Sequence, residues 1–176
     1  SEYITDLRIA EVCADLTTFV RGRPLDDDGS VILRFENGAK GLLWASQIAV
    51  GEENGLNIRI YCENGSLEWH QMEPNTLWVR WPDRPTEQRR TGTDFVGKYA
   101  SSNVRLPAGH PEGFIEAFAN IYNNFANALA NIQLGIKVDE NEFDYPTVQA
   151  GVKSMAFLKA VVENSTTKEK WTKVDS

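Results

Sequence analysis

Apolar and polar residues alternate along the first two-thirds of the chain, and the period lengthens to three and four residues in the last third. Ile9 to Val20 places β-branched and aromatic residues on a two-residue period, the pattern of a strand half buried in a sheet. Ser30 to Phe35 and Gly41 to Val50 are strand-like runs on either side of Glu36-Asn-Gly-Ala39, and Asn-Gly between alternating hydrophobics predicts a hairpin. A second hairpin is predicted around Glu63-Asn-Gly65. Its strands Leu56 to Tyr61 and Ser66 to His70 put Ile58, Ile60 and Cys62 on one side and Leu67 and Trp69 on the partner. Thr76 to Trp81 and Glu87 to Thr91, separated by Pro-Asp-Arg-Pro, complete an open, mainly antiparallel sheet of about six strands.

The helical period begins at Phe114. Phe114, Phe118, Ile121, Phe125, Leu129 and Ile132 form one face of a helix of about 20 residues ending near Gly135. A second helix is predicted from Pro146 to about Asn164, with Val148, Val152, Met155, Ala156 and Val162 on one face, Asp144 as its cap and Pro146 in its first turn. The tail Lys168 to Val174 suits an edge strand. Strands first and helices later predict an α+β domain with two long helices packed on one face of the sheet. Trp44, Trp69, Trp78 and Trp81 all lie in strand runs, so the other face is expected at a subunit or domain interface.

Composition narrows the function classes. The 176 residues, 41% hydrophobic and 24% charged, suffice for a single domain spanning 1–176 with a real core. Lys and Arg number 18 against 25 Asp and Glu, a net charge of -7 with the basic residues scattered, which argues against nucleic acid as partner. No apolar run reaches the roughly 20 residues needed to span a bilayer. Cys13 and Cys62 sit in apolar strand runs without Cys-x-x-Cys spacing, which predicts buried thiols and a cytoplasmic protein. The opening Ser1-Glu-Tyr-Ile-Thr-Asp6 has no initiating Met and enters an element at once, so the chain is expected to be cut from something longer. Asp26-Asp-Asp28 lacks the spacing of a calcium loop and reads as a solvated loop.

Motifs for self-contained catalysis are missing. There is no Gly-x-Gly-x-x-Gly, no phosphate loop, no His-Glu-x-x-His and no Gly-x-Ser-x-Gly, and His70 and His110 without a cysteine pair make no zinc site. His70 reads as an edge-strand residue facing solvent. His110 lies in Leu106-Pro-Ala-Gly-His-Pro-Glu-Gly113, where two readings stand. In one, His110 caps the helix, Glu112 serves the helix dipole and the glycines shape a loop. In the other, Gly109 allows close backbone approach and a polar ligand sits at the helix start beside His110 and Glu112. Arg105 and the polar run from Gln47 to Asn57 offer further hydrogen-bonding groups, or are a surface arginine and a loop.

Five segments in order resemble the C-terminal domain of the glucose-fructose oxidoreductase / inositol dehydrogenase family (Gfo/Idh/MocA): Ala45 to Tyr61, Gly65 to Trp69, Glu73 to Leu77, Leu106 to Tyr122, and Asp144 to Gly151. The resemblance covers nearly the whole chain. It implies a dihydrodipicolinate-reductase-like C-terminal domain whose open sheet walls a substrate pocket and forms an oligomer interface. It also implies an N-terminal Rossmann domain, absent from this chain, that binds NAD or NADP and holds the lysine of a Glu-Lys-Pro motif; Glu169-Lys170 here is followed by Trp171. The family's Asp-x-x-x-His pattern does not occur, so no catalytic, cofactor-binding or metal residue transfers. Only Gly109 to Gly113 carries over as a pocket element, with His110 bonding a sugar hydroxyl or lying beside the nicotinamide; Arg105 and Gln47 join His110 and Glu112 as candidate substrate-binding residues from their side chains alone.

The resemblance therefore implies the substrate-binding and oligomerisation domain of an NAD(P)-dependent oxidoreductase acting on a sugar, cyclitol or related polyol, homo-oligomeric through its sheet face, with the isolated chain inactive. The alternatives are a non-catalytic α+β binding or dimerisation module, and a small hydrolase. The hydrolase lacks any grouping of Ser, Cys and His as nucleophile and base.

Overall fold

The computed structural model describes residues 2–138 and 144–175. In chain order the elements are α1 (Glu2–Thr5), β1 (Ile9–Thr17), β2 (Asp28–Phe35), β3 (Lys40–Ser46), β4 (Asn57–Cys62), β5 (Gly65–His70), β6 (Thr76–Arg80), β7 (Glu87–Arg90), α2 (Lys98–Ser102), α3 (Phe114–Gln133), α4 (Val148–Thr166) and β8 (Thr172–Lys173). The α+β class holds, but the strands divide. Two sheets of four strands replace one of about six, with β3 the edge of one and β4 the edge of the other. Two compact units result, Ser1–Gly51 with Pro146–Ser176, and Glu52–Tyr145.

In the first unit the strand order is β3-β2-β1-β8, all antiparallel. Alternation along β1 and β2 sets one apolar face: Val12 lies opposite Leu33 and Ala14 opposite Val31. Val12, Val31, Leu33 and Phe35 close against Ala160 and Val161 of α4. Each fully buried valine contributes about 2 kcal/mol by removing its side chain from water. The tail strand forms as β8, pairing Thr172 with Val12. The opposite face leaves Ile32, Leu42 and Trp44 exposed.

Two local expectations in this unit change. The cap of α4 is Thr147, whose Oγ1 accepts from the N–H of Ala150 at 3.2 Å, so neither Asp144 nor Pro146 opens the helix. The acid run is not merely solvated either: Asp27 is buried, and its carboxylate accepts from the N–H groups of Phe19 (2.8 Å) and Val20 (3.0 Å). Those bonds, with the Arg23 guanidinium nearby, hold its pKa below the usual aspartate value despite burial.

The second unit has the order β4-β5-β6-β7, again antiparallel. The hairpin faces are those predicted, with Ile58 opposite Trp69 and Ile60 opposite Leu67. His70 lies on the inner strand β5 rather than an edge, its ring nitrogens 2.5 Å from Asn57 Oδ1 and 2.8 Å from Glu68 Oε1. Arg59 and Arg80 approach the same carboxylate at 3.2 and 2.6 Å. The His70 contact first, and then the two arginines, hold Glu68 below the ordinary glutamate pKa. Cys62 is exposed and Cys13 half-buried, so the expectation of two buried thiols fails for Cys62.

Helix α3 ends as its glycine predicts. Gly135 takes φ +70° and donates to the carbonyl of Ile132, while Ile136 donates to that of Asn131, the paired bonds of a Schellman turn.

A candidate substrate-contact loop

The segment containing His110 lies in the second unit, between α2 and α3. Helix α3 begins at Phe114 with Gly113 as its N-cap, so His110 is outside the helix and does not cap it. The Gly113 N–H donates instead to the Glu116 carboxylate at 2.9 Å. That bond, the N–H of Glu116 itself and the charge of Arg105 lower the Glu116 pKa.

Pro107 to His110 is a tight turn, closed by the N–H of His110 donating to the Pro107 carbonyl at 3.1 Å. Gly109, at φ +87°, occupies the position where such a turn needs a left-handed residue. Its purpose is conformational, because nothing stands within 4 Å of where a Cβ would be. The glycine that permits close approach is Gly92. A Cβ there would stand 2.7 Å from the N of Ala108 and 2.9 Å from the O of Leu106, and its φ is +73°. Residues 106–108 thus rest directly on the Gly92 backbone.

Glu112 closes the loop from the other end. Its carboxylate accepts from the N–H of Arg105 (Oε2, 2.9 Å) and of Leu106 (Oε2, 3.4 Å). Its backbone is gripped on both sides by Asn75, whose Nδ2 donates to the Glu112 carbonyl at 2.7 Å and whose Oδ1 accepts the Glu112 N–H at 3.3 Å. The hydroxyl of Thr91 donates to the same Oδ1 at 2.9 Å, and the Thr91 N–H donates to the Asn75 carbonyl at 3.1 Å. Beside this grip is a cavity of about 200 Å³ lined by Trp69, Asn75, Leu77, Arg90, Thr91 and Phe95. On the helix side, Asn120 donates to the Asn103 carbonyl at 2.8 Å, fixing the start of the loop to α3.

The fold therefore brings Arg105, His110 and Glu112 into one braced loop, with Arg105 and His110 exposed and Glu112 half-buried. Gln47 lies in the other unit, exposed, its N–H donating to the Asp27 carbonyl at 2.8 Å. Sequence reasoning did not find Asn75, Thr91 or Gly92. Asn75 follows a proline and reads as an ordinary turn residue, and its partner Glu112 is 37 positions away.

Residues 1–68 match the model of the GFO/IDH/MocA C-terminal domain. The chain is similar to this family through that domain model and through relatives named as oxidoreductases. It is 33% identical over 169 residues to the "Uncharacterized oxidoreductase YfiI" of Bacillus subtilis (strain 168), covering 94% of this chain and 42% of that protein. A solved oxidoreductase from Sinorhizobium meliloti is 38% identical with a TM-score of 0.91, covering 97% of this chain and 48% of its own. An inositol dehydrogenase homolog from Azotobacter vinelandii, solved with NADH and myo-inositol, is 30% identical with a TM-score of 0.90, covering 98% of this chain and 46% of its own. The chain thus spans less than half the length of each of these relatives. Among the described residues, no helix is long and apolar enough to cross a membrane, and no group of three His, Cys, Asp or Glu could hold a metal ion.

Proposed function

We propose that this chain is the C-terminal substrate-binding and oligomerisation domain of an NAD(P)-dependent oxidoreductase acting on a sugar, cyclitol or related polyol. The observation that carries this reading is the likeness in fold, over 98% of this chain and 46% of the other, to the inositol dehydrogenase homolog solved with NADH and myo-inositol. In such a reaction the carbinol carbon gives up a hydride and its hydroxyl gives up a proton to a base. NAD or NADP, held by an N-terminal Rossmann domain, supplies the hydride acceptor. This chain supplies positions rather than proton transfer. His110 presents an imidazole that can donate to or accept from a substrate hydroxyl, and Arg105 adds guanidinium donors on the same loop. Glu112, its carboxylate accepting from backbone N–H groups, holds the loop in shape. Gln47 lies in the other unit, and the proposed loop does not rest on it.

Self-association through the first sheet belongs to the same proposal, supported by the exposed Ile32, Leu42 and Trp44 on its uncovered face. The test uses the full-length protein with NAD+ or NADP+ against myo-inositol and a panel of hexoses, following absorbance of the reduced nicotinamide. Turnover with a polyol, raised KM in H110A at unchanged melting temperature, and no turnover by this chain alone are expected. Nicotinamide reduction by the isolated chain, or none by the full-length protein with any polyol or sugar, rejects the assignment.

A further inference from the structure

We infer that Asn75 is a positioning residue for substrate binding, acting through Glu112 to set where His110 stands; this rests on the substrate reading of the His110 loop. Three observations converge on it. Asn75 uses both ends of its amide on the backbone of one residue, donating to the Glu112 carbonyl and accepting the Glu112 N–H. Glu112 is also the residue whose carboxylate closes the loop onto the N–H groups of Arg105 and Leu106. The orientation of the amide is itself fixed, because the Glu112 N–H can only donate and the Glu112 carbonyl can only accept, which assigns Oδ1 to the first and Nδ2 to the second, and the Thr91 hydroxyl then donates to Oδ1.

The consequence for His110 is geometric. His110 stands two residues before Glu112 in a turn closed on Pro107, and residues 106–108 rest against Gly92. Fixing the Glu112 backbone and the N–H groups of Arg105 and Leu106 fixes both ends of the short arc that carries the imidazole. Asn75 sits at the start of β6 and Thr91 follows β7, so the arc is referenced to the sheet and not to its own flexibility. A loop anchored this way presents its side chain in one place, and displacement of a contact group by about 1 Å can cost up to a hundredfold in rate.

The test compares full-length wild type with N75A, N75D, H110A and the N75A/H110A double variant, using myo-inositol and NAD+ as probes. Amide hydrogen exchange at Arg105, Leu106 and Glu112 is expected to rise at least about tenfold in N75A, while β4 and β5 keep their protection. N75D, which keeps the acceptor and loses the donor to the Glu112 carbonyl, is expected to show the same direction of change. The KM for myo-inositol is expected to rise about tenfold in N75A with kcat changed less than about twofold, and the N75A substitution is expected to add nothing in the H110A background. Unchanged exchange at Arg105 and Leu106 overturns the clamp without any reference to substrate. Equal KM increases in the wild-type and H110A backgrounds overturn the route through His110. An unchanged KM in H110A itself overturns the substrate reading beneath both.

Discussion

The side-chain oxygen of Asn164 accepts a 2.7 Å hydrogen bond from the backbone N–H of Ala14, 150 positions earlier in the chain. The same amide donates to the Glu169 carbonyl at 3.2 Å and to the Thr172 hydroxyl at 3.0 Å, so one buried side chain joins α4, β1 and the tail strand. β8 pairs with β1 at Glu11 and Val12, and Asn164 takes over where that pairing stops. Replacing Asn164 with Ala leaves the Ala14 N–H without its partner, an expected loss of about 2 kcal/mol. Thermal unfolding by circular dichroism is expected to show a melting temperature lower by several degrees; no change would mean that water or a neighbour satisfies Ala14.

Val12 and Val50 make a matched pair of substitutions. Val12 is 0% exposed in the core of the first unit, whereas Val50 is fully exposed beyond β3. Truncation of Val12 to Ala removes buried methyl groups and opens a cavity, at an expected cost of about 2 kcal/mol. The same change at Val50 is expected to stay within about 0.5 kcal/mol of wild type. Urea titration of both variants reads the difference directly.

Asp27 makes stability depend on pH. The Phe19 N–H chiefly, and then the Val20 N–H and Arg23, hold its pKa below the 3.8 of an unperturbed aspartate, against the opposing effect of burial. A carboxylate more acidic in the folded than in the unfolded chain contributes stability that is complete above the unfolded value. That contribution is lost as pH falls through the folded value. Wild type is therefore expected to be more stable than D27N at pH 7, and the gap is expected to shrink below about pH 4. A gap independent of pH from neutral to acid conditions would show that the charge is not what holds residues 19 and 20.

Gly92 tests the approach of the His110 loop to the sheet. An added methyl would meet the backbone of Leu106 and Ala108 at less than 3 Å, on a residue already at positive φ. G92A is expected to lose about 1–3 kcal/mol through backbone strain. It is also expected to raise hydrogen exchange across residues 105–112. Loss of stability with exchange in that loop unchanged would place the strain elsewhere.

The strands and both long helices were legible because their periods are local: Asn37-Gly38 and Asn64-Gly65 mark the two hairpins, and the apolar face of α3 recurs along its own sequence. The Schellman end at Gly135 was legible for the same reason. Whether neighbouring hairpins share a sheet was not, since the alternation in β3 and β4 looks the same in one sheet or two. The helix caps were misplaced by a few residues because Thr147 and Gly113 compete with nearby residues of similar propensity, and only hydrogen-bond geometry decides among them.

By itself, the sequence determined the kind of chain this is: alternating strands before amphipathic helices, hairpins at their Asn-Gly turns, a glycine-shaped loop around His110, and five ordered segments resembling one oxidoreductase family. Tertiary structure decided what the Gly109-His110-Pro111 stretch is. It moved the helix start past His110, made Gly92 the point of close approach, and turned Glu112 from a dipole partner into the latch of a loop gripped by Asn75. The physical reason is range. Backbone preference and periodicity act over a few residues, whereas a half-buried amide chooses its partner by position in space, here 37 residues away.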